Sequence, residues 1–217
     1  MEIKEFDNKF KSRDEIWVVA DGPTCPEVTA PLDGTPVLSV NYGFMNCVER
    51  PYGLVYVDRY FRRKFAGYRM DNVSDYIFYA QETGHLKFEK AVPFRRVLKR
   101  TSRLQDGVYT GMRPDGQSAG VAALQIAIGM RPKMIRLFGY DYRIFTEEEA
   151  MNLFGKKLGV HKSESNHRRT DVMDKKTKLN YLSKIKSFDA FLHEGVQIIN
   201  HSIHSNLNQF PKMEWRT

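Results

Sequence analysis

Cysteine is scarce in this chain: among 217 residues only Cys25 and Cys47 occur, and no CxxC pair is present. This excludes a disulfide-stapled scaffold and a tetracysteine zinc site. Long hydrophobic runs are missing too. Nowhere do 18 apolar residues follow one another, so no membrane-spanning helix is expected. The opening stretch MEIKEFDNKFKSRDE has no apolar core and does not read as a secretory signal. The expectation is a cytoplasmic protein whose two cysteines stay reduced, as buried or half-buried thiols. Several chemical signatures are also lacking. Without GxGxxG a dinucleotide-dependent oxidoreductase is disfavoured, and without GxxxxGK[ST] so is a P-loop kinase. A hydrolase's nucleophile elbow is not expected either. No DxD pair exists, because Asp58-Arg59-Tyr60 and Asp141-Tyr142-Arg143 each lack the second carboxylate.

What is present describes a globular α/β protein. Apolar residues make up 41% and charged residues 28%, a balance that supports a packed core. The length suits one domain spanning 1–217. The formal net charge is +8. Basic residues concentrate from Arg59 to Arg103 (with Arg62, Arg63, Lys64, Arg95, Arg96, Lys99 and Arg100) and from Lys156 to Lys186. Two solvated faces would explain this. So would attraction of an anionic ligand such as a nucleotide diphosphate, an acidic glycan or nucleic acid.

Short apolar runs punctuate the chain at Ile16–Ala20, Val37–Val40, Leu54–Val57, Tyr76–Tyr79, Met134–Phe138 and Val196–Ile199. They are continuously apolar rather than alternating, as strands covered on both faces by helices are. Ser118–Met130 is apolar on nearly every side and reads as a buried crossover helix. Lys176–His193 spaces Leu179, Leu182, Ile185, Phe188 and Leu192 as an amphipathic helix would. Alternating strands and helices imply a Rossmann-like, mostly parallel sheet with helices on both faces. The polar stretch 145–177 reads as a lid or an insertion.

In an open parallel sheet, ligands bind beyond the carboxyl ends of the strands. There the first strand is followed by Gly22-Pro23-Thr24, a turn that permits close approach to a phosphate or is simply a turn. Asn41 follows the second strand, as a nucleotide contact or a turn former. Asp58 follows the third, as a ribose or metal ligand or a helix N-cap. Gly116-Gln117-Ser118-Ala119-Gly120 opens the buried helix with small residues, leaving its N-terminal amides accessible to an anion. The next strand ends in Gly139-Tyr140-Asp141.

This succession of G-P-[ST], Asn, S-x-G opening a helix and G-x-D-[FY] resembles the bacterial sialyltransferases of glycosyltransferase family 42, of GT-A-type fold. It is also similar to the related family of archaeal 6-hydroxymethylpterin pyrophosphokinases. Asn200-His201-Ser202-Ile203-His204-Ser205-Asn206-Leu207, ending in Phe210-Pro211, resembles that group's closing segment. The resemblance implies that Gly22, Pro23 and Thr24 line the nucleotide's phosphate and sugar. Asn41 would contact a cytidine-like part, with Ser118, Ala119 and Gly120 against the nucleotide and Asp141 organising the rim. It further implies a histidine base, here His161 or His167, and tyrosines near the leaving phosphate, here Tyr140 and Tyr142. The segment HKSESNHRRTDVMDKKTK departs from the family's pattern.

The activity so implied is transfer of a sugar from a CMP- or UDP-sugar donor to a hydroxyl acceptor, without a metal. Arg143, Lys162, Arg168 and Arg169 would supply charge to the departing phosphate. The acceptor would be a glycan, or a hydroxylated base in DNA if the chain is a compact modification enzyme of a phage. The pterin branch implies instead a magnesium-dependent diphosphokinase with Asp58 and Asp141 as ligands. A third reading is a non-enzymatic nucleic-acid- or nucleotide-binding module. Oligomeric state is left open.

Overall fold

The computed structural model describes residues 14–26, 28, 34–80, 91–96, 104–105, 108–112, 118–143, 145, 147–154, 184–192 and 195–215. Nine strands form one sheet: β1 (Glu15–Val19), β2 (Val37–Val40), β3 (Gly53–Tyr56), β4 (Tyr76–Ala80), β5 (Ala91–Arg96), β6 (Leu104–Gln105), β7 (Val108–Met112), β8 (Met134–Phe138) and β9 (Gln197–Asn200). Their spatial order is β6-β7-β5-β4-β3-β2-β1-β8-β9. Every neighbouring pair is parallel except β6 with β7. The chain runs outward from β1 through β5 to the β6–β7 pair at the far edge and then returns to lay β8 on the other side of β1. That reversal is the switch point at which open α/β sheets bind ligands.

Both faces of the sheet are covered, and alternate residues of a strand serve different cores. Ile16 and Val18 of β1 join Val40, Val55 and Phe78 in the main core. Trp17 and Val19 point the other way and pack with Cys25, Val37 and Phe138. Leu54, Tyr56 and Ile77 build a third cluster with Tyr42, Phe61 and Met70. Continuously apolar strands are what this two-faced burial requires.

Helix α2 (Ala119–Gly129) supplies the main core's second layer. Ala119 to Leu124 and Ile126 to Ile128 are all buried. Rich in alanine and apolar all round, it is a good helix former suited to a buried position. It packs across β1, β2 and β3. Helix α1 (Arg59–Phe65) starts after β3, and its last turn carries Arg62, Arg63 and Lys64, where cations complement the helix dipole. Helix α3 (Glu147–Phe154) lies inside the stretch expected as lid, and residues 155–177 of that stretch fall outside the described residues. Of the amphipathic helix expected over 176–193, residues 184–186 are helical and Ser187–Phe191 form a 3-10 turn. Cys25 and Cys47 are free thiols, buried and half-buried. Burial, aided by the nearby charge of Glu49, pushes the Cys47 thiol up to about 12. Among the described residues no helix is long and apolar enough to cross a membrane.

Candidate functional site

The turns after β1 and β8 are locked together. Cys25 N–H donates to Gly22 O at 3.0 Å, closing a turn with Pro23 at the position its fixed φ favours. Thr24 N–H donates to Asp141 Oδ2 at 3.0 Å, and the Thr24 hydroxyl donates to Asp141 Oδ1. Asp141 is buried, and burial raises its carboxyl above the ordinary range against the lowering effect of these bonds. Gly22 is required by contact: a Cβ there would lie 2.2 Å from Gly139 O and 2.5 Å from Asp141 Oδ2. Thr24, expected at the nucleotide, here bonds to Asp141 through both of its donors. Both are spent on Asp141, whose desolvated carboxylate needs them more than an exposed ligand would.

Ser118 stands at the N-cap of α2 with its side chain turned away from the helix amides. Its hydroxyl shares a hydrogen bond with the Tyr142 phenol instead. The first-turn amides thus receive no side-chain cap and open on the carboxyl edge of the sheet. Ala119 is buried in the core, so only its backbone faces that edge. Gly120 serves the tyrosines, since a Cβ would meet Tyr142 Oη at 2.6 Å and the Tyr140 ring at 3.1 Å. Gly116-Gln117-Ser118-Ala119-Gly120 has the GxSxG spacing of a hydrolase elbow. Yet the hydroxyl's hydrogen bond among the described residues is to Tyr142 rather than to a histidine base.

The two candidate tyrosines separate. Tyr140 is fully buried and donates its hydroxyl to Gly120 O at 3.0 Å. Tyr142 stays at the rim, partly buried, with a left-handed backbone at φ 42. Burial holds its phenol above the ordinary value, Ser118 working against this and Asp21 with it. A strained non-glycine residue at a strand end is a common mark of a functional position.

Asn41 begins the 3-10 turn Asn41–Asn46 with φ 50. The turn is pinned to β1 where Asn46 Nδ2 donates to Ala20 O at 3.2 Å. Asn41 Oδ1 is buried and has no hydrogen-bond partner among the described residues. Asp58 is the N-cap of α1, its Oδ1 accepting from Phe61 N–H at 2.6 Å. Asp58 and Asp141 follow β3 and β8, three strand spacings or about 14 Å apart. Among the described residues no group of three His, Cys, Asp or Glu side chains has a metal-binding arrangement.

Arg143, expected to offset phosphate charge, is engaged elsewhere. It donates to Glu149 Oε1 at 2.8 Å and to His204 O at 3.5 Å, and its guanidinium lies 4.9 Å from the Phe145 ring centroid. His161, His167, Lys162, Arg168 and Arg169 lie outside the described residues.

Sequence reasoning left out the residues that hold the Gly139–Asp141 turn from the far side. Asn200 Nδ2 and Ser205 Oγ both donate to Tyr140 O, at 3.3 and 2.6 Å, and Asn206 N–H donates to Asp141 O at 2.9 Å. Their signal was present in the closing segment, read there only as a pattern. Lys184 was also missed: it is half-buried, and burial lowers its ammonium while the charge of Asp58 opposes that.

The sheet order and the two covered faces define a Rossmann-like α/β fold. The chain is similar in structure to the monofunctional α-2,3-sialyltransferase Cst-I of Campylobacter jejuni, with TM-score 0.54 and 14% identity, over 93% of this chain and 81% of that one. The sialyltransferase CstII of Campylobacter jejuni, solved with the substrate analogue CMP-3FNeuAc, aligns over 92% of this chain and 86% of its own, with TM-score 0.48 and 12% identity. No protein-family model and no curated protein sequence matches the chain.

Proposed function

We propose that the chain is a glycosyltransferase that binds a nucleotide-sugar donor at this edge and transfers the sugar to a hydroxyl acceptor. One observation carries the reading. Asn41 Oδ1, buried and without a partner among the described residues, follows β2 on the same carboxyl edge of the sheet where α2, which packs across β1, β2 and β3, starts without a side-chain cap. A carboxamide oxygen left without a donor suits an exocyclic amino or ribose hydroxyl group, and helix amides suit a phosphate. Similarity of fold to a sialyltransferase agrees with this.

In the reaction, the acceptor oxygen attacks the donor's anomeric carbon as the bond from that carbon to the phosphate oxygen breaks. The acceptor's proton passes to a histidine base, His161 or His167. The nucleotide leaves as an anion. Tyr142, whose phenol burial keeps neutral, is placed to donate a hydrogen bond to that phosphate. The donor is a CMP- or UDP-sugar, and the chain's +8 charge suits an anionic acceptor, a glycan or DNA. No metal takes part.

Thermal-shift measurement against CMP, UDP, GDP and ATP, with magnesium or EDTA, tests the proposal. CMP or UDP should raise the melting temperature equally under both conditions. Stabilisation by ATP alone, and only with magnesium, would refute it.

A further inference from the structure

Building on the donor reading above, we infer that Lys184 is the cation that holds the donor's phosphate over the crevice. Three observations place it there. First, Lys184 is half-buried, yet no hydrogen bond or ion pair among the described residues engages its ammonium. A partly desolvated charge is costly without a counter-ion, so a site that keeps one is built for an anion.

Second, its electrostatic partner is Asp58, at the carboxyl end of β3. Asp58 has one oxygen committed to capping α1, and it does not lie within ion-pair distance of Lys184. It attracts the ammonium toward the edge without neutralising it by contact.

Third, Lys184 begins the segment that roofs the other side of the crevice. Ile185 packs on the main core, and Phe188 sits edge-on to Tyr142 at 5.0 Å between ring centroids. Tyr142 in turn holds Ser118 at the start of α2. Residues four apart on a helical segment share a face, so Lys184 lies on the side of Phe188 that meets the rim. The charge that Lys184 feels is thus that of Asp58, and Phe188, four residues on, meets the tyrosine that holds Ser118 at the start of α2, where helix amides favour negative charge. With Arg143 tied to Glu149, Lys184 joins Lys162, Arg168 and Arg169 among the cations for the part that the sequence gave to them and to Arg143.

The experiment compares nucleotide with nucleoside. CMP, cytidine, UDP and uridine are titrated into wild type, Lys184→Gln, Lys184→Met and Lys184→Arg by calorimetry. Wild type should prefer one nucleotide over its nucleoside. Lys184→Gln and Lys184→Met should keep the nucleoside affinity but lose about tenfold to hundredfold of the preference, the value of a charge-assisted phosphate bond. Lys184→Arg should retain most of it. The methionine variant preserves the buried stem if glutamine disturbs folding. An unchanged preference in the glutamine and methionine variants would overturn the inference while leaving the donor reading intact. Failure of the wild type to bind either nucleotide would overturn both.

Discussion

Along the carboxyl edge, the β1–β8 side spends its polar groups on one another. Thr24 gives both of its donors to Asp141, Asn206 donates to Asp141 O, and the Tyr140 carbonyl takes two side chains. The β2–β3 side does not. There the buried Asn41 Oδ1 has no partner among the described residues. The two sides therefore have different tasks. Bonds already satisfied make a rigid clasp that fixes the geometry, while spare hydrogen-bonding capacity is what a ligand can use. Thr24 and Asp141, motif residues on the first side, bind the two turns to each other.

The largest effect should follow from Gly22→Ala. Its methyl would sit 2.2 Å from Gly139 O, a backbone atom that no rotamer change can move aside. A loss of ~4 kcal/mol, near the severe end for single substitutions, is expected in urea denaturation. If the variant stays within ~1 kcal/mol of wild type, the clasp is not rigid and the contrast between the two sides collapses.

Much of this architecture was legible in the sequence, for a physical reason. Strands buried on both faces must be apolar at every position, so Val37–Val40 and Met134–Phe138 coincide with β2 and β8. Helix α2, equally apolar all round, was found to within a residue at each end. β5, β6 and β7 were missed because AVPFRR, LQ and VYTGM carry proline, charges or too few residues for a periodic signal. α1 was signalled only by Asp58 read as an N-cap, since RYFRRKF itself reads first as a charge cluster. At the site, sequence order located the turns but not who pairs with whom. That Thr24 would be consumed by Asp141, 117 residues away, depends on β8 lying beside β1, and no local pattern encodes it.

A middle-sized effect probes the open side. Asn41→Gly removes the carboxamide while keeping a residue at ease with φ 50. Folding stability should change by less than ~1 kcal/mol. Affinity for whichever of CMP or UDP stabilises the wild type should fall about tenfold, or ~1.4 kcal/mol, in calorimetric titration. The reverse outcome, a large stability loss with unchanged affinity, would move Asn41 into the scaffold.

The smallest effect sharpens the contrast through pH. His201, on the clasp side beyond β9, is buried between Phe138, stacked at 4.8 Å, and Trp215 at 5.0 Å. With Nε2 facing the Arg136 guanidinium at 3.2 Å, it is the acceptor there, and Nδ1–H donates to Met213 O at 2.9 Å. Burial is the main force lowering its imidazole below the ordinary value of 6.5, and the Arg136 charge adds to it against the opposing Met213 bond and Glu15. The unfolded chain therefore takes up a proton more readily than the folded one. Stability is fully present above pH 6.5 and is lost as pH falls through the depressed value. Between pH 7.5 and pH 5.5 the wild type should lose roughly 2 °C more in melting temperature than His201→Gln, which cannot charge. Nucleotide affinity should show no His201-dependent change over the same range, because His201 stabilises the clasp and meets no ligand. A His201-dependent change in affinity without one in melting temperature would reverse that assignment.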